Sequence, residues 1–236
     1  GLGYSDIRKV NPKLIYVSIS GFGSSGPYAG RPAFDGVLQS MVGFPFVQGA
    51  ANGPSAPPQL LNTFLVDKAT AWNTVQAVLS ALFARATGRC AGQHVEVAML
   101  DVAANFHWPD SMALYGDMLV RKDPTLYDNL PDTREPRLSV ASPTRDGHAM
   151  LQVWPEAPHF ERVLRAFFPA LDGDARYFGG LPARRGHFPA FKTALEAEFA
   201  ARSSAELQAF FNEHGLPGQV MIDPADFHRD PQVVHN

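Results

Sequence analysis

The chain has 236 residues, 45% hydrophobic and 18% charged, which is enough apolar material for a buried core and excludes a disordered or fibrous chain. The formal net charge is −3 with acids and bases interspersed, so no basic run is available to a phosphate backbone and no nucleic-acid partner is expected. One cysteine excludes an internal disulfide, the eight histidines form no zinc-type pair, and no apolar stretch reaches the ~18 residues of a membrane span, so a cytoplasmic protein without a metal site is expected.

Leu14-Ile15-Tyr16-Val17-Ser18-Ile19-Ser20 is a β-branched and aromatic run that predicts a buried strand opening into a glycine loop, the end of an open α/β sheet where ligands bind. Residues 35–43 carry Val37, Leu38, Met41 and Val42 at helical spacing, and the Pro/Gly/Ala/Asn-rich stretch after them, through Pro58, reads as a loop. From 69 to 86 the apolar residues Trp72, Val75, Val78, Leu79, Leu82 and Phe83 recur with helical period, and Gly88 stands at the C-terminal cap. Residues 93–99 alternate as a strand, and Asp101 opens a further helix. Strand and helix alternate, so this part is α/β.

A polar, proline-containing stretch at 121–137 reads as a linker. Beyond it, 139–144 and 148–153 flank Arg145-Asp146-Gly147, an Asp-Gly turn signal that predicts a hairpin. Helices are expected at 159–168, 190–201 and 204–214, the last with a capping box of Ser203 and Glu206 and with Gly215 at its end. This second part is α+β.

Gly21-Phe22-Gly23-Ser24-Ser25-Gly26 has the spacing of a dinucleotide fingerprint, but Pro27, Gly30 and Pro32 follow, so no helix can face a pyrophosphate there. The glycines still permit close backbone approach to another ligand, or simply a turn. Asp67 has two readings. One is the N-cap of the long helix; the other, compatible with it, is a carboxylate held ionised and oriented at the helix N-terminus for covalent chemistry. Asp101 has the same two readings, and residue type does not rank them. His107, Trp108 and Asp110 complete no hydrolytic triad and read as packing or surface residues, and Cys90 reads as a free thiol.

Residues 11–28, from Asn11-Pro12-Lys13 through the strand and the glycine loop to Tyr28, together with Arg31-Pro32-Ala33-Phe34-Asp35, resemble the family III CoA-transferases (the CaiB/BaiF family). Relatives there include formyl-CoA transferase, carnitine CoA-transferase and α-methylacyl-CoA racemase. Thr87-Gly88-Arg89 with Gly92-Gln93-His94-Val95-Glu96-Val97-Ala98-Met99-Leu100-Asp101 resembles the same family. So do Pro143-Thr144-Arg145-Asp146-Gly147 and the segment from Gly215-Leu216-Pro217 to Asp230-Pro231-Gln232.

The resemblance implies an α/β fold in which residues 1–135 form part of a Rossmann-like large domain, and residues 136–236 form a small α+β domain with the start of the return segment. It implies that Asp67 is the nucleophile and that Asp101 is structural. Gly21, Phe22, Gly23, Gly26, Arg31 and Phe34 are expected to line the CoA or substrate pocket. The implied partners are an acyl-CoA and a carboxylic acid, with coenzyme A as substrate, no prosthetic group, and an interlocked homodimer in the full-length form. The family's opening strands would precede Gly1 and its closing segment would follow Asn236, so activity of this stretch alone is not implied.

Phe34 stands where the racemase branch carries a histidine. A phenyl ring cannot carry a proton, which disfavours the racemase alternative. A non-catalytic CoA-binding or assembly module is the alternative from another class. In the small domain, Val153-Trp154-Pro155-Glu156-Ala157-Pro158 stands where the transferase branch often has a glycine-rich loop, which leaves Glu156 either a substrate contact or a solvated residue.

Overall fold

The computed structural model describes residues 1–50, 56–120 and 140–236. The chain divides into two compact units, Gly1–Pro136 and Arg137–Asn236. The linker expected at 121–137 lies outside the described residues.

In the first unit, helix α1 (Tyr4–Val10) precedes strand β1 (Ile15–Ser20), and strand β2 (Gln93–Ala98) lies parallel to β1 in register from Ile15 opposite Gln93 to Ser20 opposite Ala98. Helices α2 (Asp35–Val42), α3 (Phe44–Ala50) and α4 (Leu65–Ala86) fill the crossover that a parallel pair requires. Helix α5 (Met99–Val120) follows β2 without a gap.

Helix α4 runs antiparallel to β1. Near its N-terminus Val66 shares a buried cluster with Phe22, just past the end of β1, and at its other end the Arg85 guanidinium donates to the Lys13 carbonyl (2.8 Å), just before β1 starts. The first turn of α4 therefore lies at the carboxyl end of the β1–β2 pair.

Helical period locates α4 but not the face it buries. Val66, Thr70 and Ala81 are buried, whereas Trp72, Val75, Leu79 and Phe83 are exposed, Trp72 to 72%. Small residues let the helix approach its neighbours closely, and the large apolar stripe faces outward.

Two further expectations need correction. The stretch expected to be a loop after residue 43 contains α3: Gly43 turns the chain in the left-handed region (φ 91°), and its carbonyl accepts from Phe46, starting a second helix at once. The long helix also begins at Leu65, four residues before the predicted start.

The second unit carries an antiparallel sheet ordered β3 (Val140–Pro143), β4 (His148–Leu151), β5 (Gly218–Val220). The predicted Asp-Gly hairpin joins β3 to β4, closed by the Thr144 amide donating to the Gly147 carbonyl (2.9 Å). Helices α6 (Phe160–Phe167), α7 (Ala175–Phe178), α8 (Leu181–Ala200), α9 (Ser204–His214) and α10 (Pro231–His235) complete it. The core is rich in aromatics, with Phe160, Phe191, Phe199 and Phe211 fully buried.

Helix α8 starts nine residues earlier than expected and passes through Pro189. Proline removes one ladder donor and normally ends a helix. Here Phe188 and Phe191 on either side of it are both buried in the core.

The capping box of α9 forms as expected, and Gly215 ends the helix at φ 58°. Asp146 of the hairpin adds a second cap from a distance, since its carboxylate accepts from the Ser204 amide (2.7 Å). Hydrogen bonds from Ser204, first from its amide, hold the Asp146 carboxyl below its ordinary range, and those from Ser203 do the same for Glu206. Asp174, which caps α7, is lowered to about 2 by Arg176.

Carboxyls depressed in the folded state stabilise it above their unfolded pKa of about 4, and the contribution is lost as pH falls through the folded values. The melting temperature should therefore fall between about pH 4 and pH 2. Combining Asp146→Asn, Glu206→Gln and Asp174→Asn should flatten that slope; thermal melts at stepped pH showing parallel profiles would contradict it.

Candidate active site

Asp67 occupies the third position of α4, not its N-cap. The cap is Phe64, whose side chain makes no capping bond. The helix amides are satisfied instead from α2, where buried Asp35 accepts from the Val66 amide (2.7 Å) and the Asp67 amide (3.0 Å) through one carboxylate oxygen. Its other oxygen accepts from the Gln39 side-chain amide (2.5 Å). Gln39, also buried, donates to the Leu61 carbonyl (3.3 Å) and the Thr63 carbonyl (3.1 Å) and accepts from the Leu61 amide (3.0 Å). Two side chains one turn apart on α2 thus fix both the segment entering α4 and its first turn.

The consequence falls on the Asp67 side chain. It is exposed, and among the described residues it makes no hydrogen bond or ion pair. Of its two readings the N-cap does not hold, because the carboxylate that satisfies those amides comes from another element. Neighbouring Lys68 is turned to Thr63, its ammonium donating to that hydroxyl (2.9 Å). Asp101 also lies inside its helix, in the first turn of α5, and is exposed, so it too is not the residue before the helix.

The glycine loop leaves β1 at the same end of the sheet. The Gly21 carbonyl accepts from the Leu100 amide (2.9 Å), and the Gly23 amide donates to the Ser20 hydroxyl (3.1 Å). Gly23 and Gly26 adopt φ of 96° and 94°, which an L side chain rarely does, and no helix forms between Gly21 and Asp35, so no helix N-terminus opens on this loop. Phe22 points inward to the cluster of Leu38, Val66 and Ala103. The Arg31 guanidinium stacks over the rings of Tyr28 (4.5 Å) and Phe22 (5.6 Å). Phe34, the N-cap of α2, is 73% exposed.

The structure thus gathers Gly21, Phe22 and Phe34 around the α2–α4 junction that carries Asp67. Arg31 is tied to that group through Phe22, while Gly26 lies out on the exposed part of the loop.

Residues outside this group take ordinary roles. His107 is buried with its ring 3.9 Å from that of Phe44, a packing role as expected, and Trp108 is exposed. Glu156 is neither free nor merely solvated: it pairs with Arg185, whose Nε donates to it (2.7 Å). Cys90 is a free thiol. Among the described residues no three His, Cys, Asp or Glu side chains form a metal-binding group, and no helix is long and apolar enough to cross a membrane.

Asp35 and Gln39 are the functional candidates that the sequence reading passed over. Their signal was present: a carboxylate and an amide at i and i+4 share one face of a helix.

A parallel strand pair with its helical crossover, and an exposed aspartate on the first helical turn at the strands' carboxyl end, define an α/β protein with a carboxylate available for chemistry. The family model of CoA-transferase family III matches residues 1–236, and the chain belongs to that family.

The chain is 29% identical to succinate–glutarate CoA-transferase of Agrobacterium fabrum, over 99% of this chain and 56% of that protein. It is 33% identical to human succinyl-CoA:glutarate CoA-transferase, over 100% of this chain and 52% of that one. Among solved structures, a CaiB/BaiF family protein from Brucella suis superposes with a TM-score of 0.74 at 26% identity, covering 99% of this chain and 59% of that one. The chain spans about half the length of the curated relatives it matches.

Proposed function

We propose that the complete protein is a CoA-transferase that moves coenzyme A between carboxylic acids through covalent intermediates on Asp67. The observation that carries this reading is the release of the Asp67 carboxylate from capping by Asp35, which leaves at a helix N-terminus an exposed carboxylate with no hydrogen bond or ion pair among the described residues.

In the first step an Asp67 oxygen attacks the acyl carbon of the donor thioester and the C–S bond breaks, giving an acyl-aspartyl anhydride and the CoA thiolate. The thiolate then attacks the aspartyl carbon and expels the donor carboxylate, leaving an aspartyl-CoA thioester. The acceptor carboxylate attacks that thioester, forming a second anhydride and releasing thiolate. The thiolate then takes the new acyl group and restores the Asp67 carboxylate. Each step exchanges one anion for another, so no proton moves and no general base is required.

That balance fits Phe34. Racemisation needs an acid–base partner at the α-carbon, and a phenyl ring supplies none. Gly21, Phe22, Gly23, Gly26, Arg31 and Phe34 form the wall of the CoA or acyl pocket, with residues 1–135 as part of the large domain and 136–236 as the small domain. No prosthetic group is involved. The protein acts in the cytoplasm as an interlocked homodimer, a reading supported by the outward apolar stripe Trp72, Val75, Leu79 and Phe83, the kind of surface that marks a protein contact.

The names of the relatives matched over the whole chain make succinyl-CoA and glutarate the first pair to assay. In heavy water the complete protein should exchange CoA between acids while leaving the α-hydrogen of a 2-methylacyl-CoA in place. Fast deuterium uptake at that carbon without CoA exchange would establish the racemase instead. Binding of acyl-CoA with neither reaction would establish a binding module.

A further inference from the structure

We infer that Asp35 and Gln39 are positioning residues for the nucleophile: together they set the register of the first turn of α4 and hold the Asp67 backbone where its carboxylate reaches the acyl carbon. This rests on the reading of Asp67 as nucleophile and adds the device that aims it.

The bonding pattern requires these two residue types. Both oxygens of Asp35 face only donors: one meets the Gln39 amide group, and the other meets the Val66 and Asp67 amides. An asparagine there must turn its NH2 toward one of those donor sets. Gln39 cannot rotate to accommodate it, because its oxygen already serves the Leu61 amide and its nitrogen serves the Leu61 and Thr63 carbonyls. An acceptor-only group is therefore specified at position 35, and an amide of fixed orientation at position 39.

Both side chains are buried, Asp35 at 5% exposure and Gln39 at 2%, so water cannot replace either partner at little cost. The chain link is short as well. Asp67 receives its contact on its own backbone amide, so a shift in Asp35 moves the nucleophile directly.

In the complete protein, Asp35→Asn should lower kcat for CoA exchange by about 100-fold while KM changes less than about threefold, since misplacement of a reacting group by an ångström has that order of effect. Hydrogen exchange at the Val66 and Asp67 amides should accelerate in the same variant, which reads the lost cap without reference to catalysis.

Asp146→Asn is the control for a purely structural effect. It removes the same kind of remote cap from α9 and should lower the melting temperature without the kcat loss. Gln39→Met leaves the capping carboxylate in place and frees its support, and should reduce kcat about tenfold. If Asp35→Asn does not fold, Gln39→Met decides the matter by the same measurements.

Faster amide exchange with unchanged kcat, in whichever of the two variants folds, overturns the positioning role. So does a kcat loss in Asp146→Asn as large as in Asp35→Asn. Failure of the nucleophile reading has a different signature: Asp67→Asn itself would retain exchange activity.

Discussion

Asp67→Asn should abolish CoA exchange in the complete protein, with a loss of at least about 1,000-fold, and should leave the fold intact. The amide has nearly the volume of the carboxylate, and the side chain it replaces is exposed and makes no hydrogen bond or ion pair among the described residues, so folding should lose no more than the ~1 kcal/mol of a helix-terminal charge. The Asp67 backbone amide still donates to Asp35. What is lost is the nucleophile, because a carboxamide cannot form the anhydride, and removing a group that makes and breaks bonds costs far more than removing a binding contact.

Asp101→Asn is the companion measurement. Asp101 is also an exposed carboxylate in the first turn of a helix that starts at the carboxyl end of the strands, so local setting alone does not separate the two. Its replacement should leave exchange within about threefold of wild type, with any stability loss near the ~1 kcal/mol of a helix-terminal charge. Mass spectrometry after incubation with acyl-CoA should find an adduct on the peptide containing Asp67 and none on that containing Asp101. A folded Asp67→Asn protein that exchanges CoA at the wild-type rate would remove Asp67 from the mechanism.

What could be read from the sequence follows the range of the interactions. The capping box of α9 joins residues three apart and was legible as Ser203 with Glu206. The cap of α4 joins Asp35 to amides 31 and 32 residues away, and no local pattern announces it. The same distance effect explains why Asp67 reads as an N-cap: an acidic residue before a helical run is the commonest local signature of one, and only the arrival of Asp35 reassigns the duty. Periodicity identified α4, but period alone does not say which face meets the neighbours: Val66, Thr70 and Ala81 are buried, while the larger Trp72, Val75, Leu79 and Phe83 face outward. In the second unit the Asp-Gly turn and both ends of α9 were legible because cap and turn chemistry is local, whereas the start of α8, which runs through Pro189, was not. Strand β5, three residues long, carried too little pattern to be seen.

Gly21, proposed for the pocket wall, also has a steric reason within the fold, because another part of the chain lies against it. A Cβ built on Gly21 would lie 2.1 Å from the Cβ of Ala33, in the segment that leads into α2. Its backbone is not in the left-handed region, so alanine is conformationally allowed and the obstacle is steric alone.

Gly21→Ala should therefore force β1 and the start of α2 apart, destabilising the first unit by about 1–3 kcal/mol as overpacking does. Because Asp35 opens α2, the displacement should reach Asp67 and lower exchange activity together with stability. Ala33→Gly removes the opposing methyl and should relieve most of the loss when combined with Gly21→Ala, bringing the double variant within about 1 kcal/mol of Ala33→Gly alone.

Gly26→Ala provides the contrast. Nothing lies within 4 Å of a Cβ there, and the φ of 94° is the only obstacle, so its cost of about 1–2 kcal/mol should not respond to Ala33→Gly. Urea unfolding of the three single variants and of each glycine variant combined with Ala33→Gly decides between the two origins. A Gly21→Ala protein that unfolds like wild type, or one whose loss Ala33→Gly does not relieve, would remove the Ala33 contact as the reason for glycine at this position.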